Sequence, residues 1–372
     1  MADTVRQKRF NVGLALLKFW MCFEVVMVHA WSLSTSGGVA PAGTGFIHLM
    51  RAYAVPVFMP LAFFFAAEKF AAHDGAWLRS RFVRLILPFA FWSTLAFATW
   101  RVLSIWIPEF AMTLVPPKVG AFWSPGCGGE PVPISFEYLG LQLLLGTTRT
   151  LGSQMWFQAV LIILTAFFAG FFRLVKPRFA TGGLVLLFAA AAMMEHAGLN
   201  RWLFEGFRYE VCNPLGRVVS MMPYAAVGLL LGARRSSLMN LSGGARALGA
   251  ILGIGVVAFL VNYPVFVDPP GFYYKGFKML FVALGLIAAF HCLPFDRLPP
   301  GAVKVVQFLA RFTMGVYFVH ILLGRLLEVL VFPHVGLRPQ TFAAGVVVFV
   351  LSWIFCYALS FIPGKWVKAL IQ

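Results

Sequence analysis

Long apolar runs, broken by short polar pieces rich in Lys and Arg, organise this 372-residue chain from end to end. A run of about 20 apolar residues is what an α-helix needs to cross the hydrocarbon core of a bilayer. Ten candidate runs occur, at 10–33, 47–67, 85–107, 154–172, 180–198, 215–233, 245–263, 276–293, 312–331 and 342–362. The pattern predicts an all-α integral membrane protein of about ten transmembrane helices, because a helix satisfies its own backbone hydrogen bonds in lipid. Segment 136–149 is too short to cross and reads as an interfacial or re-entrant piece. The longest connection, 109–137, is rich in Pro and Gly, among them Pro116, Pro117, Gly128 and Gly129.

Composition agrees with the pattern. Apolar residues make up 60% of the chain and charged residues 12%, against about 25% charged in a soluble domain. A water-facing surface cannot be assembled from that supply, which excludes a soluble enzyme, a disordered protein and a disulfide scaffold. The net charge of +17 would elsewhere point to nucleic acid. Here the basic residues cluster in short pieces between apolar runs, as the positive-inside rule writes them, so nucleic acid is not an expected partner. With the N-terminus placed inside, eighteen of the thirty basic residues fall on the cytoplasmic side; both termini are therefore expected there, and loop 109–137 outside. The first run follows a short basic start and is too long for a signal-peptide core, so it reads as an uncleaved span. Cys22, Cys292 and Cys356 lie inside apolar runs as small hydrophobes. Cys127 and Cys212 fall in external loops, where an oxidising compartment permits a disulfide but sequence does not establish one.

Ionisable groups at membrane depth are costly unless paired or wetted, so each marks a candidate site. Lys18 and His29 stand eleven residues apart in the first span. Eleven helical steps of about 100° return to within about 20° of the start, which puts both on one face, roughly 16 Å apart along the axis. One small ligand group cannot touch both; an elongated ligand would bridge them. The alternative is a lysine snorkelling inward and a histidine in the outer headgroup layer. Glu24 lies on another face of the helix and is expected to pair with a basic residue such as Arg101 or Arg217.

The segment Gly13 to Trp31 resembles the opening helix of the membrane-bound acyltransferase 3 family, with its basic residue, ten intervening positions and histidine. Five further segments are similar to that family in the same order: Ala54 to Ala66, Trp77 to Trp92 with its Arg81-x-x-Arg84, Gln154 to Leu164, Pro223 to Arg234 with Gly228-x-x-x-Gly232, and Phe312 to Leu323 with Gly315-x-Tyr317-x-x-His320. The resemblance implies a single transmembrane acyltransferase domain over 1–372 in a membrane, most naturally a bacterial inner membrane. It would carry an acyl group, usually acetyl from acetyl-CoA, to a hydroxyl of an exopolysaccharide, another surface glycan or a lipid-linked sugar.

The chemistry of that reaction assigns roles. A sugar hydroxyl needs a base near pKa 7, which neutral imidazole supplies; His29 is the candidate base or, alternatively, a transient acyl carrier. Arg81 and Arg84, three apart on a helix, with Arg79 beside them, offer forked donors for the phosphates of CoA, although basic anchoring at the inner face explains them equally. Tyr317 and His320 either line the same cavity, with Tyr317 donating to the oxyanion, or form a structural pair. Trp156 is a belt residue or an acceptor-stacking platform, and Arg325 with Glu328 reads as an internal ion pair. Arg51, Arg101, Arg217 and Lys278 fall near outer span ends, where snorkelling is the default. His291 to Asp296 spells the H-x-x-x-x-D of glycerolipid acyltransferases, but Pro294 interrupts it. No metal site is expected. The rival readings are a transporter or flippase for a lipid-linked or anionic substrate, and an acyl-carrying membrane sensor without turnover; the absence of an internal repeat disfavours repeat-built transporters.

Overall fold

The computed structural model describes residues 11–31, 53–106, 139–140, 143, 155–196, 214–262, 277–337 and 341–371. Loop 109–137, Cys127, Cys212, Arg51, Gln154 and nearly all of segment 136–149 lie outside them. The described residues contain no strand. The helices are α1 (Val12–Trp31), α2 (Ala54–Phe64), α3 (Ala67–Ala71), α4 (Gly75–Trp106), α5 (Met155–Leu174), α6 (Pro177–His196), α7 (Pro214–Ala233), α8 (Arg235–Met239), α9 (Gly243–Asn262) and α10 (Phe277–Cys292). They continue as α11 (Pro300–Arg311), α12 (Thr313–Leu330), α13 (Phe332–Val335), α14 (Phe342–Leu359) and α15 (Lys365–Ile371). Within the described residues each of the ten apolar runs is mainly helical. Among the described residues eight stretches are long and apolar enough to cross a membrane, while 217–233 and 278–292 are apolar but shorter.

The first helix is the hub. It packs against α2, α10, α11, α12 and α14, and Leu14, Leu17, Met21, Cys22, Val25 and Val26 are buried on it. Burial extends round the helix, as expected of one enclosed by others and not by lipid. Its N-terminus is fixed by Asn11, whose Oδ1 accepts from the Leu14 N–H at 2.8 Å. Such a cap satisfies one of the helix's orphan donors. The Asn11 amide then donates to His291 Nδ1 at 2.8 Å, and His291 Nε2 donates to the Leu238 carbonyl at 3.1 Å. Both ring nitrogens are thus spent on joining α1, α8 and α10. This explains why the H-x-x-x-x-D spelling is not a catalytic pair: its histidine is a neutral clamp with no nitrogen left over.

Close helix approach follows from glycine. At Gly228 and Gly232 of α7 a Cβ would run into the carbonyl oxygens of Pro60 and Phe64 on α2, so the Gly-x-x-x-Gly spacing lets the two backbones touch. Pro60 and the turn at Phe65–Ala66 interrupt the second span. Ala66 N–H bonds Phe63 O and Phe65 N–H bonds Leu61 O, leaving the Ala62 carbonyl for another donor. Gln158 of α5 donates to the Leu85 carbonyl of α4 at 2.9 Å close to Pro88, where the proline weakens the helix's own ladder. Trp92, buried, donates from Nε1 to the Leu370 carbonyl at 3.0 Å and ties α15 to α4.

Two features depart from the sequence expectation. The third span begins ten residues earlier, because the basic stretch Trp77–Arg84 is helical and continuous with the apolar run in α4. Residues 300–311 form an amphipathic helix, with Val306 and Ala310 buried and Lys304, Val305, Phe308 and Arg311 exposed; no run of consecutive apolar residues announces it.

Candidate active site

The C-terminal part of α1 carries His29 to a position where its ring centroid is 5.2 Å from that of His320 on α12, with planes inclined at 44°. His320 is 1% exposed. Its Nδ1 lies 3.1 Å from the Val316 carbonyl, one turn earlier in the same helix. A carbonyl only accepts, so Nδ1 carries the hydrogen and the neutral ring keeps a lone pair on Nε2. That Nε2 is buried and makes no hydrogen bond among the described residues. A buried acceptor without a donor is costly and is the mark of a group kept for another purpose. His29 is half-buried and faces the bundle interior through this contact.

Aromatic rings extend the cluster. The Tyr317 ring is 6.1 Å from His320 and meets Phe157 of α5 edge-on at 5.8 Å. Phe157 in turn lies 6.3 Å from Phe58 of α2 and 6.0 Å from Trp156. The Arg217 guanidinium of α7 stands 4.5 Å over the Trp156 ring. Helices α1, α2, α5, α7 and α12 therefore all contribute to one neighbourhood. Arg325 and Glu328, further along the same helix than His320, form the expected ion pair.

Lys18 lies toward the other end of α1, on the same helix face as His29 because the helix runs unbroken between them. It is half-buried and makes no hydrogen bond or ion pair among the described residues. One turn on, the Cys22 thiol donates to the Thr313 carbonyl at 3.3 Å. Cys22, Cys292 and Cys356 are all free and buried. Glu24, fully buried, accepts from Trp20 Nε1 at 2.8 Å; Arg217, one of its two expected partners, is instead engaged with Trp156.

The three arginines of α4 do not share one environment. Arg81 turns inward: Nε donates to Thr165 Oγ1 at 3.3 Å and Nη1 to the freed Ala62 carbonyl at 3.5 Å. Its Cζ lies 5.3 Å from the Trp77 ring, 5.5 Å from Phe63 and 6.0 Å from Phe70. Nη2 is buried and has no partner among the described residues. Arg84 is exposed, with Nε on the Ser80 carbonyl at 3.3 Å, and Arg79 is exposed as well. Beside them Asp74 caps α4, accepting from Trp77 N–H and Lys69 Nζ at 2.8 Å each. The Lys69 hydrogen bond holds its carboxyl below the usual range.

Sequence reasoning picked out His29, Lys18, Arg81, Arg84, Tyr317 and His320. It missed Phe157, Thr165 and the Arg217–Trp156 stack, which ordinary apolar or interfacial residues compose and which only packing brings together. Among the described residues no group of three His, Cys, Asp or Glu is placed to hold a metal ion.

Fold and site together describe a helical membrane protein with an imidazole pair, one ring buried and one half-buried, toward one end of its central helix and a cationic rim on another. A family model for an acyltransferase domain matches residues 11–357. The chain belongs to the acyltransferase 3 family and is a membrane acyltransferase. No curated protein and no solved structure matches it.

Proposed function

We propose that this protein is an acyl-CoA-dependent O-acyltransferase of a bacterial inner membrane, with about ten spans and both termini cytoplasmic. It moves an acetyl group to a hydroxyl of a surface or exported polysaccharide or a lipid-linked sugar. The observation that supports the reading is the His29 ring set against His320, whose Nε2 is buried without a hydrogen bond among the described residues, in a chain of an acyltransferase family. Neutral His29 takes the acceptor hydroxyl's proton as the oxygen attacks the thioester carbonyl. The tetrahedral oxyanion receives the Tyr317 hydroxyl. Collapse breaks the C–S bond, and the imidazolium returns the proton to the departing CoA thiolate. His320, its tautomer fixed by Val316, packs against the His29 ring and orients it.

Arg79, Arg81 and Arg84 form the donor's cationic dock. The exposed pair Arg84 and Arg79 meets its phosphates first, and Arg81 braces α2, α4 and α5 behind them. The pantetheine arm passes Lys18 on its way along α1, so the acyl group reaches His29 without CoA crossing. Trp156 and Glu24 lie on the acceptor's side of the scheme. No step is assigned to a metal.

The test is release of free CoA from acetyl-CoA by purified protein, with and without a crude glycan acceptor. Acceptor-stimulated release is expected. Intact thioester throughout would favour a transporter or a non-catalytic sensor. In sealed, oriented vesicles, acetyl-CoA confined to the outer face should be inert; turnover from that face would reject the threading scheme.

A further inference from the structure

The Arg217–Trp156 stack gives the acceptor site a chemical preference, and this inference rests on the acyltransferase reading above. Arg325, on the helix that carries His320, is committed to Glu328. Arg217 differs. Its guanidinium lies over the face of Trp156 at 4.5 Å, and it makes no hydrogen bond or ion pair among the described residues. An indole face pins the flat side of a guanidinium and leaves its in-plane N–H donors pointing outward. Such a fork is pre-organised for a carboxylate or phosphate, which it meets with two parallel hydrogen bonds.

The fork is also joined to the chemistry. Trp156 precedes Phe157, which seats on Tyr317, and Tyr317 lies one turn from His320 beside His29. Each link is a ring contact between buried or half-buried side chains. A ligand held at Arg217 by an oxyanion would therefore lie over the same helix ends that present the imidazole pair. A snorkelling arginine, by contrast, gains nothing from lying at the end of that chain of rings.

We propose that Arg217, positioned by Trp156, is a specificity residue that selects a negatively charged acceptor: a sugar bearing a carboxylate, or one bearing a phosphate, close to the hydroxyl that is acylated. The two sources share the oxyanion and are separated by the probes used.

Purified protein in nanodiscs of zwitterionic lipid is titrated with a hexuronate tetrasaccharide, a neutral hexose tetrasaccharide and a sugar phosphate, and binding is read calorimetrically. The wild type should bind one or both charged probes about tenfold or more tightly than the neutral one, as expected for a paired guanidinium fork. Preference for the hexuronate assigns a carboxylate, and preference for the sugar phosphate assigns a phosphate. Arg217→Gln should abolish the preference, Arg217→Lys should keep part of it as charge without the fork, and Trp156→Leu should weaken it by freeing the guanidinium.

Equal affinities for charged and neutral probes, no binding of any probe, or a preference unchanged in Arg217→Gln would each overturn the proposal. So would an Arg217 effect that appears only as a dependence on anionic lipid, which would make the residue a headgroup anchor. Charged-probe preference without CoA release in any acceptor's presence would refute the acyltransferase scheme and leave the oxyanion site standing. CoA release that is equal with charged and neutral acceptors, in wild type and Arg217→Gln alike, would do the reverse.

Discussion

Arg81→Ala removes a cation from a cage of three rings, and the structure says what that should cost. Cation–π contacts are worth about 0.5–2 kcal/mol each, the upper end applying where water is excluded. Arg81 has three such contacts, at 5.3, 5.5 and 6.0 Å. Its loss also strips the Ala62 carbonyl and Thr165 Oγ1 of a donor, at about 1 kcal/mol each because both bonds are long. Against this, the substitution relieves the desolvation of a charge whose Nη2 has no partner. The net expectation is a loss of about 2–4 kcal/mol.

Arg84, exposed and, among the described residues, bonded only to its own helix backbone, should tolerate Ala with no measurable change in stability. Arg81→Met keeps the aliphatic bulk without the charge and should recover part of the loss, as apolar replacement of a buried ion often does. Thermal unfolding in detergent can be followed with a thiol-reactive dye, since Cys22, Cys292 and Cys356 are buried until the bundle opens; Cys127→Ser and Cys212→Ser remove the other two thiols. Arg81→Ala should lower the midpoint by about 5 °C or more. A midpoint within about 1 °C of wild type, or an equal fall in Arg84→Ala, would refute the assignment of Arg81 as the brace.

The other expectations follow from the same geometry. Arg84→Ala should raise the KM for acetyl-CoA about tenfold with kcat little changed, the signature of lost ground-state phosphate binding, read in steady-state CoA release. Gly232→Leu should prevent α7 from seating on the Phe64 carbonyl of α2 and leave little folded protein by size-exclusion chromatography, because overpacking a backbone contact costs about 1–3 kcal/mol or more. His291→Leu should lower the unfolding midpoint by leaving Asn11 and Leu238 without their partner, while activity per folded molecule is retained. A complete loss of activity with an unchanged midpoint would reinstate the H-x-x-x-x-D reading.

Hydropathy gave the helices because lipid leaves the backbone no alternative, so an apolar run of sufficient length carries its own structure. Residues 300–311 escaped because their signal is a 3.6-residue alternation, with Val306 and Ala310 inward, and not a run. His29 and Lys18 were legible from spacing alone, since both ride one helix. That His320 lines the same cavity as His29 was one of two open readings of an embedded polar residue: helix periodicity fixes a residue's face but not which helix it faces. Arg81 and Arg84 looked equivalent as two forks three residues apart. Whether one turned inward depended on Ala62, whose carbonyl is freed by a break in a different helix. Of the two partners considered for Glu24, Arg217 found an indole face that no local pattern links to it.

The central claim is that His29 performs the proton transfer in acyl transfer, and His29→Ala in purified protein tests it most directly. Transfer of labelled acetyl from acetyl-CoA to glycan is measured beside the thermal midpoint of the same preparation. The account predicts at least about a hundredfold loss of transfer, the usual contribution of a positioned base, with the midpoint essentially unchanged. Acetylation that persists near the wild-type rate in a folded His29→Ala protein would contradict it.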